Sequence, residues 1–255
     1  MKRKNAHRNK NIKEKPYVLI FGRNPVKEAL DANRKIERIL FANDTRGSIK
    51  EIEKMAEKKR IPYGFFDKEK LNDLAGGSLH RGVIALAEPY RYSNLEDVLH
   101  ETNEGSRLLL VLDHIEDPQN LGSIIRTAEC AGASALIIPK DRACEITPAV
   151  ERISAGATQY MRCVQVSNIA NAVEKLKKNG FWIAACDMDG EDYYKADMSG
   201  DIALVIGNEG RGISEIVKRK CDFTISVPMK GRINSLNAAN AAAVIIYEVV
   251  RQRSK

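Results

Sequence analysis

The sequence predicts an α/β protein built on a mostly parallel sheet. Leu108 to Asp113, Ala135 to Pro139, Met161 to Val166, Trp182 to Ala185 and Ile202 to Ile206 are short apolar or β-rich runs. They lack clean polar alternation, so they read as strands covered on both faces. Helical segments separate several of them. The chain has 255 residues, 44% hydrophobic and 29% charged, enough for one large domain or two modest ones, each with a core.

Taken in order, Asn24 and Pro25 supply an N-cap and first helical residue for a helix over Val26 to Ala32. A strand over Ile36 to Phe41, a helix over Ile49 to Lys59 and a strand near Ile61 to Phe66 follow. A short helix over Lys68 to Leu74 and a strand over Gly82 to Ala87 complete a compact α/β unit. Asn43-Asp44-Thr45 matches a glycosylation acceptor but reads better as a turn or helix start. The stretch from Glu88 to Arg107 is polar and turn-rich, which places a linker at 90–106 between a unit at 17–89 and a larger one at 107–255. In the larger unit a helix over Leu121 to Ala131, capped by Asn120, ends at Gly132. Another over Ile169 to Lys178 opens after Asn168 and ends before Gly180. The last runs from Leu236 to about Arg251, with Asn234 or Ser235 able to cap it. Ala238, Ala239, Ala241, Ala242 and Ala243 crowd its first half with small side chains that let a backbone or a partner subunit approach closely. Arg251, Arg253 and Lys255 complement the dipole at its C-terminus.

Composition excludes several classes. The longest apolar runs are far too short to span a bilayer, and the basic N-terminus is not followed by an apolar core or cleavage site. A cytoplasmic compartment is expected. Cys130, Cys144, Cys163, Cys186 and Cys221 are dispersed without a Cys-x-x-Cys pair, and the four histidines are scattered too. Buried thiols and no metal site are the expectation. The net charge of +7 is concentrated in residues 1–16, where seven basic residues face only Glu14. Such a tail should be disordered and attract a polyanion, RNA or DNA.

Three loops in the larger unit follow apolar strands, where open α/β sheets bind ligands. The first runs from Asp113 through Asp117-Pro118-Gln119-Asn120-Leu121-Gly122 to Arg126. Arg126 has a plain alternative reading as an i,i+3 ion pair with Glu129. The second is Gly207-Asn208-Glu209-Gly210-Arg211-Gly212. It has neither the P-loop ending nor the Gly-x-Gly-x-x-Gly spacing, so a ligand without a pyrophosphate fits better, with Glu209 placed to orient a polar group. The third runs from Val227 to Asn237; Asn237 and Asn240 stand there as poor helix formers without an obvious local need.

Together, Asp117-Pro118-Gln119-Asn120-Leu121-Gly122 with Arg126, Ile206-Gly207-Asn208-Glu209-Gly210, and Val227-Pro228-Met229 with Ser235-Leu236-Asn237-Ala238 resemble the three ordered motifs of the SpoU/TrmH family of RNA ribose 2′-O-methyltransferases. The segment from Phe21-Gly22-Arg23-Asn24-Pro25-Val26 to His80-Arg81-Gly82-Val83 resembles that family's small N-terminal substrate-binding domain, of the ribosomal-protein L30e type. Arg81 stands where members commonly have Gln, and Glu151 is an acid in an otherwise apolar family stretch. The resemblance implies a C-terminal domain of the SPOUT class, with a parallel sheet, a deep trefoil knot and a homodimer through the last helix. Knots are so rare that the residues alone would not suggest one. It further implies S-adenosylmethionine as cofactor, held by Gly207, Val227 and Leu236. Arg126 would stand at the ribose hydroxyl, with Asn120, Glu209, Ser235 and Asn237 organising the site. In the family the Arg is proposed as a base aided by RNA phosphate; an arginine normally stays protonated, which makes phosphate clamping the rival role. The expected substrate is a guanosine ribose in bacterial large-subunit (23S) ribosomal RNA. A transfer-RNA enzyme and a non-enzymatic RNA-binding or ribosome-assembly protein of the same fold are the alternatives, and a dinucleotide-dependent enzyme is disfavoured by the glycine spacing.

Overall fold

The computed structural model describes residues 17–43, 49–101 and 105–254. The basic tail, Asp44 and Thr45 of the glycosylation match, and Lys255 lie outside the described residues. The N-terminal sheet consists of β1 (Val18–Phe21), β2 (Ile36–Ala42), β3 (Tyr63–Phe66) and β4 (Val83–Ala87), in the order β1-β4-β2-β3. Only β2 and β3 run parallel; β4 is antiparallel to both its neighbours. Helices α1 (Arg23–Asp31) and α2 (Ile49–Lys58) cover one face, burying Val26, Leu30, Ile49 and Ile52 against Ile39 and Phe41. Helix α3 (Lys68–Ala75) covers the other through Leu71 and Ala75. Helix α1 begins ahead of the expected start at Val26. Gly22, at φ 98°, makes the left-handed turn off β1, and Pro25 then falls in the first helical turn, where its missing N–H costs no hydrogen bond. Asn24 is therefore helical and not the cap.

The region read as a linker contains a short helix, α4 (Leu95–Leu99), whose Leu95 and Val98 are buried against the second sheet. That sheet has six strands, all parallel: β5 (Leu108–Asp113), β6 (Ala135–Pro139), β7 (Cys163–Val166), β8 (Trp182–Asp192), β9 (Ile202–Gly207) and β10 (Phe223–Ser226). Their order is β10-β8-β9-β5-β6-β7. From β5 the chain moves outward through β6 and β7, crosses to β8, and then inserts β9 between β8 and β5. Leu108, Leu110 and Leu112 of β5 face one core with α5 (Pro118–Cys130) and α9 (Ala238–Arg253). Leu109 and Val111 face the other core with α7 (Ile169–Lys178). Burial on both sides explains why these strands show no polar alternation.

Helix α7 starts at the Asn168 cap, whose side chain accepts from the Asn171 N–H. Two other caps differ from expectation. Asp117, not Asn120, caps α5, accepting from the Gln119 N–H with Pro118 at the first helical position. Asn237, not Asn234 or Ser235, caps α9. Strand β8 continues to Asp192, past a register shift in its pairing with β10. Strands β1 and β10 and helices α6 (Pro148–Ile153) and α8 (Glu215–Lys218) are not among the elements expected from the sequence. Among the five cysteines Cys163 is buried and Cys130 is exposed, so the expectation of buried thiols fails at Cys130.

The two sheets are joined across α6. Glu151, whose side chain is only 2% exposed, binds Arg34 Nη1 through Oε1 at 2.6 Å. Arg34 Nε and Nη2 also donate to the Glu88 carbonyl. Burial outweighs the nearby guanidinium and holds the Glu151 carboxyl above the ordinary carboxylate range. Nearby, Tyr160 Oη donates to Glu28 Oε2 at 2.7 Å.

Candidate active site

Strands β5 and β9 lie side by side at the centre of the large sheet, with Asp113 opposite Gly207 at their carboxyl ends. The connections after them leave in opposite directions, which opens a crevice of the kind that holds ligands in open α/β sheets. Asp113, only 1% exposed, shares a 2.6 Å hydrogen bond with His114 Nδ1 through Oδ1 and accepts from the Ser214 N–H through Oδ2. It ties the first loop to the second. Asn208 does the same, its Nδ2 donating to the His114 carbonyl and its Oδ1 accepting from the Gly210 N–H.

The second loop folds back on itself through reciprocal backbone bonds between Asn208 and Gly212. Gly207 makes this possible. A Cβ there would sit 2.2 Å from Gly212 C and 2.3 Å from Ile213 N, both backbone atoms with no freedom to retreat.

Asn237 gathers all three loops. Its Nδ2 donates to Asn120 Oδ1 at 2.8 Å and to Glu209 Oε1 at 2.6 Å, while its Oδ1 accepts from the N–H groups of Ala239 and Asn240. A primary amide has two donor hydrogens and two acceptor lone pairs, and all four are engaged. Because the oxygen is claimed by backbone donors, the amide cannot turn over without losing the cap. This is the local need for Asn237 that the sequence did not reveal. Asn120, buried in the first turn of α5, serves the site as an acceptor.

Beside this cluster lies a cavity of about 300 Å³, at the lower end of the range for small-molecule sites. Gly207, Glu209, Val227, Ser235 and Leu236, each predicted from sequence, line it together. Asn120 and Asn237 are joined to it through Glu209. Ala238, Ala241 and Ala242 also line it, so their small side chains leave room for a ligand. Asp187 and Met188, from the extension of β8, complete the wall; nothing in their local pattern marked them. Arg126 is not among the lining residues. It is exposed on α5 and, among the described residues, has no ion-pair partner, so the alternative reading of Arg126 as an ion pair with Glu129 does not hold.

The lining chemistry selects among ligands. Arg211 is the one guanidinium among the described lining residues, set against Glu209 and against Asp187, which is paired with Lys218. A polyphosphate would need more cations than this. Apolar walls from Ile206, Val227, Leu236 and Ile245, with carboxylates at the rim, suit an apolar-bodied ligand carrying positive charge. Among the described residues no group of three or more His, Cys, Asp or Glu could hold a metal ion, and no helix is long and apolar enough to cross a membrane.

The fold and site define a two-part α/β protein with a ligand cavity at the carboxyl ends of an all-parallel sheet. Comparison with known proteins gives that class its family. A model described as the SpoU rRNA methylase family matches residues 107–247, and one described as RNA 2′-O ribose methyltransferase substrate binding matches residues 19–93. A Staphylococcus saprophyticus protein named as a TrmH family tRNA/rRNA methyltransferase is 41% identical, covering 93% of this chain and 96% of its own length. A Bacillus subtilis protein of the same description is 38% identical, with coverage of 92% and 96%. The SpoU methyltransferase AviRb of Streptomyces viridochromogenes, solved with AdoMet, superposes with a TM-score of 0.80 at 29% identity, over 98% of this chain and 94% of that one. The chain belongs to the SpoU family of RNA methyltransferases.

Proposed function

We propose that this protein transfers the methyl group of S-adenosylmethionine to a ribose 2′-hydroxyl of RNA in the bacterial cytoplasm, at a guanosine of 23S ribosomal RNA. The observation that carries this reading is the convergence of Gly207, Glu209, Val227, Ser235 and Leu236 on one cavity, with Asn120 and Asn237 locked to its rim. The cofactor's sulfonium supplies an activated methyl group for in-line displacement, and no metal is chemically required. Gly207, Val227 and Leu236 hold the cofactor through backbone groups and apolar contact. Glu209, held by Asn237, sets a fixed negative charge at the rim. Arg126, exposed and without an ion-pair partner among the described residues, is free to clamp an RNA phosphate beside the reacting hydroxyl. The unit at 17–89 binds the RNA, 90–106 connects it, and 107–255 carries the transfer. The tail at 1–16 adds salt-sensitive affinity for RNA.

A homodimer through α9 belongs to the same reading, supported by the exposure of Val244 and Tyr247 on that helix. So does the trefoil knot, supported by the insertion of β9 between β5 and the earlier β8. A transfer-RNA substrate is the second reading, since the relatives are named for both RNAs.

The test is transfer from labelled S-adenosylmethionine to unmethylated ribosomal and transfer RNA, mapped by resistance to alkaline cleavage. Label at one alkali-resistant guanosine in large-subunit RNA is the expected result. Label confined to transfer RNA supports the second reading, and failure to bind the cofactor supports a non-enzymatic RNA-binding protein.

A further inference from the structure

A second cavity, of about 440 Å³, opens at the carboxyl ends of β5, β6, β7 and β9, on the other side of the loop 207–212. Asn208, Arg211 and Gly212 line both cavities, so this loop is their common wall. Among the described residues, Asn208 alone of the three motifs lines this space. Its lining includes Glu116, Asp141, Arg142 and Arg211. All four are exposed, and among the described residues none has a hydrogen-bond or ion-pair partner. Two carboxylates and two guanidiniums thus face one space without neutralising one another.

His114 and Arg142, both lining it, hold left-handed backbone at φ 63° and 53°. Non-glycine residues pay for that conformation, and such strain gathers where a binding geometry requires it. His114 is held in place by its bond to Asp113. Ile216, 68% exposed, supplies an apolar face at the same cavity.

We infer that this second cavity receives the base of the nucleotide to be methylated, and that the base is guanine; the inference rests on the proposed RNA methyl transfer. A carboxylate only accepts hydrogen bonds and a guanidinium only donates them. Guanine is the RNA base that offers each group a two-point match, N1–H and the 2-amino group to a carboxylate, O6 and N7 to a guanidinium. Cytosine and adenine present a single amino donor group, and uracil a lone N–H between two carbonyls. The His114 ring and Ile216 give the π and apolar surfaces on which an unstacked RNA base rests. The wall shared through Asn208, Arg211 and Gly212 puts a base held here next to the cofactor cavity.

Two measurements test this. In the first, the target nucleotide is replaced by inosine, which lacks the 2-amino group. The wild-type protein should lose about tenfold or more in kcat/KM, as a site built to bind that group does. The double variant Glu116→Gln/Asp141→Asn should be slow on both RNAs and no longer distinguish them, with an unchanged KM for S-adenosylmethionine. A mapped target other than guanosine, or equal discrimination in wild type and variant, overturns the inference while leaving methyl transfer intact. In the second, nuclear magnetic resonance of His114 follows titration with the four nucleoside 5′-monophosphates. A shift with guanosine monophosphate alone supports the base site even if no RNA is methylated, in which case the proposed reaction is what fails. Equal shifts or none overturn the base site.

Discussion

At the scale of single residues, Asn237 shows how one amide caps a helix and binds three loops. Asn237→Ala removes four hydrogen bonds and leaves Asn120 Oδ1 without its donor from α9. The expected cost is about 2 kcal/mol, combining a lost cap with an unsatisfied acceptor, read by urea unfolding. Asn237→Asp keeps the cap but turns a donor to Glu209 into a second carboxylate, so it should retain more stability than Asn237→Ala while cofactor affinity falls at least as far. Equal stability of the two variants would show that the cap is not what Asn237 provides. The sequence brought Asn120, Glu209 and Asn237 into one list by their motifs. It read Asn120 as a cap because Asp117-Pro118 and Asn120 compete within a few residues, and it set the α9 cap at Asn234 or Ser235 because three capping residues stand within four positions there. The decisive contact, Asn237 to Asn120, spans a separation of 117 residues that no local pattern encodes.

At the scale of elements, the second loop depends on Gly207 for want of space, since a Cβ would meet the backbone of Gly212 and Ile213. Gly207→Ala must spread the loop, and we expect S-adenosylmethionine affinity by calorimetry to fall by at least tenfold. Gly231→Ala, in the third loop, meets nothing within 4 Å and should bind like wild type. Similar affinities for both variants would show that the loop opens freely. The helices and strands most legible in sequence are those with local punctuation. Helix α7 occupies Ile169–Lys178 as expected because Asn168 starts it and Gly180, at φ 86°, follows its end. Strand β10 and the extension of β8 were not, because they exist through pairing with each other across a register shift.

At the scale of the whole molecule, Arg34 and Glu151 connect the two sheets by a pair almost closed to water. Their meeting accounts for the acid at Glu151, which looked out of place in an apolar stretch. Arg34→Ala strands a buried carboxylate and should cost about 3 to 5 kcal/mol, whereas Arg34→Met/Glu151→Leu together should recover most of it. A cost below 1 kcal/mol in thermal or urea unfolding would mean that water reaches Glu151. The pair also sets a pH dependence. Because burial raises the folded-state pKa of Glu151, its contribution to stability is full below the ordinary carboxylate range and declines as pH rises through that raised value. Glu151→Gln should flatten the decline.

The C-terminal helix also has a consequence in time. Arg253, near its end, donates to the carbonyls of Ser106, Arg107 and Gly200, drawing the last turn of the chain onto the start of the domain. A chain made from its N-terminus has every strand of both sheets before Asn237 is added. The growing protein can therefore pair its strands while the third loop is still unjoined to the other two and the α9 side of the large sheet is still uncovered. The final closure must search across more than a hundred residues of intervening chain, the kind of distant contact that slows folding. The joining of the third loop to the other two then waits for α9, and loss of this helix would both part that loop from Asn120 and Glu209 and uncover one face of the large sheet.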